Sequence, residues 1–423
     1  MAGNGSSNPP LPARAEEAAS RLPARHAREL KGTLDLEDFE SAVRRKLPRA
    51  VYAYVAGGSE TETSLRTNRA AFARWRLVPR VLVGVADRSQ ETKILGRTYA
   101  APFGISPMGG SALVAYNGHT VMARAAAKAG IPFILSANSI IPMEEVAKAG
   151  PGSWFAAYQS PNRRAIEGMV RRVRRAGIDV LVVTADVPVG SNRENDARNG
   201  FSFPIRPSAR LSLDVMSHPG WLTGTFLRTL LRRGVPHIVN LEPDGGPGLF
   251  SSQVKGIAAH ESLSWDHIRL MRDLWMGPLV VKGILSVDDV RIARQIGVDG
   301  VIISNHGGRQ LDNAATPLQV LPTIVAEAKG VTVMIDSGFR RGTDVLKALA
   351  LEARFVFVGR PFLFAAALAG EAGVLHGISL LSKEIDKDMA LLGLRRLGDA
   401  GSDMLLDMGD EPMRPPLAEQ GGR

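Results

Sequence analysis

Eight short, mostly apolar runs recur along the chain, at 103–106, 133–136, 154–157, 180–184, 279–282, 300–304, 331–335 and 355–358. The run Val180-Leu181-Val182-Val183 has no polar alternation, the pattern of a parallel strand covered on both faces. Between the runs, apolar positions recur three and four apart. Residues 119–130 (HTVMARAAAKAG) and 162–177 (NRRAIEGMVRRVRRAG) predict amphipathic helices that stop at glycine, which tolerates the left-handed conformation closing a helix. Ser286 predicts an N-cap, with Asp288 and Asp289 in the first turn, and residues 342–352 (GTDVLKALALE) repeat the helical pattern. Strand alternating with helix eight times predicts an α/β fold, a TIM (β/α)8 barrel. An open doubly wound sheet shares that alternation, since periodicity does not give strand order.

Two segments fall outside the barrel rhythm. Residues 33–75 predict an N-terminal helical cap, and residues 200–262 a long loop excursion between strands 4 and 5. The barrel domain is expected over 33–400, after a flexible leader at 1–32 and before a flexible tail at 401–423, both rich in small and polar residues. The N-terminus lacks the apolar stretch of a signal peptide, and no uncharged apolar run reaches the ~20 residues of a spanning helix.

Composition narrows the chemistry. With 45% hydrophobic and 22% charged residues the chain is ordinary for a globular protein. It has no cysteine, which removes disulfides, thiolate zinc sites and cysteine nucleophiles and favours a reducing, cytoplasmic setting. Lysine and arginine number 52 against 42 acids, a formal charge of +10 that suits nucleic acid, an anionic membrane or an anionic substrate. No zinc-finger spacing or RNA-binding motif accompanies that charge, so no nucleic acid partner is expected, nor a metal.

In a barrel of this kind the active site lies at the C-terminal ends of the strands. Those ends carry Pro107-Met108-Gly109, Ser136, Tyr158, Thr184 with Asp186, Lys282, Ser304, His306 with Arg309, Asp336 through Arg340, and Gly359-Arg360. The run 336–342 (DSGFRRG) and the Gly359-Arg360 pair follow strands seven and eight, where barrels commonly hold a phosphate. Glycine lets backbone N–H groups approach the anion and arginine binds it bidentately; the plainer reading is tight turns with solvated arginines. His306, in 304–312 (SNHGGRQLD), is the only histidine at a strand end and can accept a proton near neutral pH, with Arg309 placed to hold a carboxylate beside it. Asp186 can orient the imidazole, or simply cap a turn. Arg193 reads as a second carboxylate clamp or a surface charge. Lys282, ending an apolar strand, needs an anion or an ion-pair partner to be buried.

The Ser-Asn-His-Gly-Gly-Arg-Gln-Leu-Asp run, Val-Lys-Gly-Ile at 281–284 and Asp-Ser-Gly-Phe-Arg-Arg-Gly at 336–342 resemble the FMN-dependent α-hydroxy acid oxidase and dehydrogenase family, over roughly residues 33–400. The resemblance implies an FMN enzyme that oxidises a 2-hydroxy acid, lactate- or mandelate-like and of L configuration, to the 2-oxo acid. It makes His306 the base and Asp186 the support for its charged form. Arg309 and Arg193 would grip the carboxylate, with Tyr54 and Tyr158 bonding the carboxylate and hydroxyl. Lys282 would sit by the flavin N1–O2 edge, Ser136 and Thr184 by the isoalloxazine, and Ser337, Gly338, Arg340, Gly359 and Arg360 around the phosphate. A homotetramer is implied by the same likeness. Two positions depart from the family pattern: Ala156 stands where glutamine is usual, and Met108 where threonine or valine is usual.

What reoxidises the flavin divides the family. Residues 210–242 resemble the long loop of the membrane-associated lactate and mandelate dehydrogenases. There Trp221, Leu222, Phe226, Leu227, Leu230 and Leu231 stand beside Arg228, Arg232 and Arg233, a mixture that suits the anionic inner face of a cell membrane. A basic helix packed on its own barrel is the alternative. Gly109, usually alanine in the oxidases, points the same way. The expectation is therefore a dehydrogenase with a quinone-type acceptor; the alternatives are an oxygen-using oxidase that produces hydrogen peroxide, or a basic barrel that binds membranes or a partner without turnover.

Overall fold

A computed structural model describes residues 24–202, 205–206, 208–242, 246, 248 and 261–409. The eight apolar runs form eight parallel strands: β1 (Phe103–Ile105), β2 (Ile134–Ser136), β3 (Trp154–Ala157), β4 (Leu181–Thr184), β5 (Leu279–Ile284), β6 (Gly300–Ile303), β7 (Thr332–Ile335) and β8 (Phe355–Val358). Each pairs with its neighbour in chain order from β2 to β8, and β8 returns to β1. A parallel bridge between Ile105 and Phe133 joins β1 to the start of β2, completing the ring. That order is a TIM barrel and excludes the doubly wound alternative.

Because side chains alternate along a strand, every second residue enters the lumen. Ile134, Trp154, Ala156, Val182, Val280, Ile302, Met334, Phe355 and Phe357 fill it, while the intervening residues pack outward on the helices. A hairpin of Thr92–Ile94 with Arg97–Tyr99 covers the strands' starting ends, where Tyr99 Oη accepts from Trp154 Nε1 at 3.1 Å. Full burial of each such aromatic is worth about 2–3 kcal/mol.

The helices start and stop where polar residues and glycine dictate. Gly118–Ala129 ends at Gly130, at φ 69°; Asn162 caps Arg163–Arg175 by accepting from the backbone N–H of Arg164 and Ala165; Ser286 accepts from Asp288 N–H. The helix Arg360–Leu392 is long and apolar enough by composition to cross a bilayer, yet 67% of its most apolar 18-residue stretch is buried within the protein. It is two helices meeting at a kink, where Gly370 takes φ 59°. Over the strands' C-terminal ends lie Asp38–Val43, Arg49–Ala56 and Thr63–Ala70, the expected cap.

Three expectations need correction. Part of the presumed leader is a helix, Ala24–Leu30, which buries Leu30. The presumed tail holds structure as far as 409: Leu405–Asp407 pairs antiparallel with Trp75–Leu77, and Arg74 clasps Asp407 at 2.8 Å. Small and polar composition concealed this because the pairing partner lies far away in sequence. The rest of the leader and tail lies outside the described residues.

The third correction concerns the excursion, part of which is helical: Ala209–Met216 is followed by a run from Pro219 to Arg233. That run has two unlike faces. Trp221, 8% exposed, donates Nε1–H to the Leu113 carbonyl at 2.8 Å and stacks on Phe226, while Arg233 pairs with Glu145 and Asn117. Leu222, Phe226 and Leu230 are half-buried. Leu227, Leu231, Arg228 and Arg232 face outward, Leu231 at 85% exposure. The apolar stripe read from sequence is thus divided between the barrel and the surface.

Ring closure leaves no room at Gly104, where a Cβ would lie 2.7 Å from the Pro132 carbonyl oxygen and 2.9 Å from the Phe357 ring. Gly104→Ala is expected to lose about 1–3 kcal/mol of stability, read as a lower urea midpoint at unchanged slope.

Candidate active site

The C-terminal ends of the strands open into a cavity with about 900 Å³ of space free of atoms, part of it open solvent at the mouth. Tyr54, Pro107, Met108, Gly109, Tyr158, Arg193, Lys282, His306, Arg309, Asp336, Ser337, Gly338, Arg340, Gly359 and Arg360, all expected from sequence, line it together. Asp186, Ser304, Ser136 and Thr184 sit just behind this lining.

His306 follows β6 in a backbone that turns left-handed at three successive residues, with φ 57°, 67° and 75° at His306, Gly307 and Gly308. At Gly308 a Cβ would lie 2.5 Å from the Leu65 nitrogen, so only glycine lets this turn pass beneath the cap. The Ser304 hydroxyl accepts from His306 N–H, at 3.0 Å, and the Ser337 hydroxyl from Gly307 N–H, at 3.1 Å. The imidazole Nδ1 lies 3.0 Å from Asp186 Oδ1. Burial drives the imidazole pKa below its ordinary value, while the Asp186 charge opposes the fall. Burial likewise pushes the Asp186 carboxyl up, but His306 and Lys282 outweigh it and hold it below the usual range. An ionised carboxylate at Nδ1 keeps the proton there and leaves Nε2 as the basic nitrogen.

Lys282 follows Val280 on the lumen side of β5. Its ammonium donates to Ser304 Oγ at 2.8 Å and pairs with Asp336 Oδ2 at 3.2 Å, and both charged side chains are almost wholly buried. Burial would discharge the lysine, but Asp336 and Asp186 keep it charged with a raised pKa. Asp336 in turn accepts from the hydroxyls of Ser106, at 3.0 Å, and Ser337, at 2.9 Å.

The arginines are held by carbonyls. Arg309 donates to the Gly57 oxygen at 2.8 Å and lies over the Tyr54 ring, 5.1 Å from its centre. Arg360 was expected at the phosphate; its Nε donates to the Val55 oxygen, and its Nη2 to those of Gly57 and Gly307, at 2.9–3.0 Å. It therefore also ties the cap to the barrel. Burial, with neighbouring arginines, lowers Arg309 and Arg340 to about 10 and Arg360 to about 9. All three stay protonated at neutral pH. Tyr158 is pushed up to about 12 by burial and by the Asp186 charge, so it remains a neutral phenol.

Five cations line the cavity, Arg193, Lys282, Arg309, Arg340 and Arg360, against Asp336 on the wall and Asp186 behind it. A concave site with that balance draws anions. The turn after β7 prepares a place for one: Ser337 and Gly338 have φ 80° and 88°, and a Cβ at Gly338 would lie 2.7 Å from the Asn68 oxygen. Thr184 supplies a second test of fit. Its hydroxyl is buried and has no hydrogen-bond partner among the described residues, an arrangement that costs about 1–3 kcal/mol unless a ligand completes it. A ligand with an anionic group near Gly338 and Arg340 and a polar ring edge near Thr184 meets both requirements, and FMN is such a molecule.

Sequence reasoning missed Ser106, Asn138 and the carbonyls of Val55 and Gly57. Ser106 is the last residue of the expected run 103–106 and Asn138 lies two residues past Ser136, so reading one residue back and two further on would have found them; the carbonyls carry no mark in the sequence.

A phosphate-ready barrel mouth with a histidine–aspartate pair beside a buried lysine defines a flavin-type oxidoreductase site. The family model described as FMN-dependent dehydrogenase matches residues 43–407, and the chain belongs to that family. It is an FMN-dependent oxidoreductase. It is 39% identical over 377 residues to (S)-mandelate dehydrogenase of Pseudomonas putida, covering 89% of this chain and 94% of that one. It is also 39% identical over 374 residues to L-lactate dehydrogenase of Yersinia pestis, covering 87% and 97%. The solved structure of a monotopic membrane (S)-mandelate dehydrogenase superposes with a TM-score of 0.81 at 39% identity, over 89% of this chain and all of that one.

If Thr184 awaits the flavin, Thr184→Val should raise the FMN dissociation constant by roughly 2- to 12-fold, the worth of one hydrogen bond. Fluorescence titration of the apoprotein reads this directly, and an unchanged constant would contradict the fit.

Proposed function

We propose that the protein oxidises L-2-hydroxy acids of the lactate or mandelate type to 2-oxo acids and passes the electrons to a quinone-type acceptor. The observation that carries this is the His306–Asp186 pair, in one cavity with Arg309, Arg193 and Lys282.

The substrate carboxylate sits between Arg309 and Arg193, where charge-assisted bonds fix its orientation. Tyr54 and Tyr158 bond the carboxylate and the hydroxyl, Tyr158 as a neutral phenol. His306 Nε2 faces the reacting carbon and takes a proton from the substrate. Asp186 stabilises the imidazolium that results, while Nδ1 stays bonded to it. Lys282 would hold a positive charge beside the edge of a bound flavin, and Ser136 and Thr184 would bond its ring. Ser337, Gly338, Arg340, Gly359 and Arg360 would hold its phosphate, with Pro107, Met108 and Gly109 lining the place for the ring. Bound FMN supplies the two-electron acceptor.

Gly109, where the oxidases usually have alanine, supports the dehydrogenase reading, and a Cβ there would press on Asn138, 2.9 Å from its Cβ. The outward face of the excursion, with Leu227 and Leu231 each followed by an exposed arginine, Arg228 and Arg232, supports peripheral attachment to an anionic membrane on the cytoplasmic side, where quinone is reached. A homotetramer is part of the same proposal.

Mixing the yellow holoenzyme with (S)-mandelate or L-lactate without oxygen should bleach the flavin, and a quinone analogue should restore the colour faster than air does. An unbleached flavin would end the proposal. His306→Ala should keep FMN but slow bleaching by about 10²- to 10⁴-fold, the usual worth of a general base. Because burial depresses the His306 pKa, the base is neutral at pH 7. The bleaching rate should fall on acidification with a midpoint below the ordinary 6.5.

Vesicles of anionic lipid should sediment the protein at low salt and release it at high salt. The double variant Leu227→Ser, Leu231→Ser should stay in the supernatant; equal sedimentation of both proteins would remove the membrane assignment.

A further inference from the structure

Behind the two arginines of the cavity stands a carboxylate to which nothing above gives a task. Asp196 lies in the short helix Glu194–Arg198, one turn after Arg193. It is 8% exposed, and its Oδ1 is buried with no hydrogen-bond partner among the described residues. Its charged neighbours come from each element packed around it: Arg309 from the loop after β6, Arg193 from its own approach, and Glu62 from the turn before Thr63–Ala70. On the packed helix Arg49–Ala56, Tyr54 lies under Arg309, while Arg49 is occupied with the Asn199 side chain at 2.6 Å. Glu194 and Arg198, on its own helix, pair with each other.

A buried carboxylate is costly without a partner, and a pair of half-buried guanidinium groups side by side is costly without an anion. We propose that Asp196 is a positioning residue that balances Arg193 and Arg309 while the substrate place is empty, and that it takes up a proton when a substrate carboxylate arrives between them. The inference rests on the carboxylate-clamp reading of these arginines. Two anions and two guanidinium groups in one low-dielectric place repel more than one anion does, so the arriving carboxylate drives Asp196 toward its neutral form. Burial already brings Asp196 to about 6, against the pull of Arg309 and Arg193 and with help from Glu62, so a proton is available to it near neutrality.

The sign follows from linkage. Substrate binds better to the form with protonated Asp196, so binding weakens as pH rises above about 6. Were uptake complete, KM would rise up to tenfold for each pH unit. Asp196→Asn imitates the protonated form and cannot titrate. In the holoenzyme, KM for the hydroxy acid should therefore rise several-fold between pH 6 and 8 in the wild type and stay flat in Asp196→Asn, with the lower KM in the variant at pH 8. The dissociation constant of oxalate, an unreactive carboxylate, followed by the flavin spectrum, should show the same contrast without turnover.

A variant with the wild-type slope, or with a raised KM at every pH, would overturn the proposal, because a carboxylate that merely holds the arginines in place gives that second result. Should Asp196→Asn not fold, Asp196→Ser serves the same comparison. If the wild-type flavin is not bleached by any hydroxy acid, the functional reading fails instead, and oxalate binding still tests Asp196.

Discussion

Buried charge has to be balanced, and the mouth of this barrel is organised around that demand. Moving an ammonium or a carboxylate out of water costs several kcal/mol even after the surroundings relax. Lys282 and Asp336 meet the cost together at 3.2 Å, and Ser304, Ser106 and Ser337 complete their hydrogen bonds. Those five residues come from the ends of β1, β5, β6 and β7, so one network holds half the ring in register. Taking away either charge would leave the other buried alone, at a cost of about 3–5 kcal/mol.

The same demand explains why the cap is needed. Arg309 and Arg360 donate to the carbonyls of Val55 and Gly57, at the end of the helix Arg49–Ala56, and that helix end is the pole to which cations are drawn. Carbonyl dipoles let the two half-buried guanidinium groups stay charged without a direct ion pair among the described residues, Asp196 acting on Arg309 only through its field. They keep their attraction for an incoming anion. A barrel mouth lined instead with closed ion pairs would be as stable and would bind no anion.

Much of this was legible in the sequence, for physical reasons that differ by element. Strands covered on both faces read as unbroken apolar runs, so β1 through β8 fall within one residue of expectation at each end, apart from β5, which runs two residues further. Charged residues directly after such runs stand out, which is how Lys282, His306, Arg309 and Arg340 were found. What could not be read depends on distant partners. Leu405–Asp407 becomes a strand only because Trp75–Leu77 is beside it. Trp221 turns inward only because the Leu113 carbonyl accepts its N–H. Asp196, three residues after Arg193 and three before Asn199, looks in sequence like any polar turn of a surface helix.

The excursion joins these two kinds of information. Phe201, at its start, stacks on Tyr54 with ring centres 4.4 Å apart. Further along, Trp221 and Arg233 grip Leu113 and Asn117, in the segment that follows Met108-Gly109-Gly110. One side of the excursion therefore forms part of the wall beside the cavity, and the other carries Leu227 and Leu231 to the surface. A surface that held the outer side would have to leave the inner side seated, since moving Phe201 or Trp221 would disturb the ring and loop that face the cavity. The division of the apolar stripe, half inward and half outward, is what allows a single segment to meet both requirements.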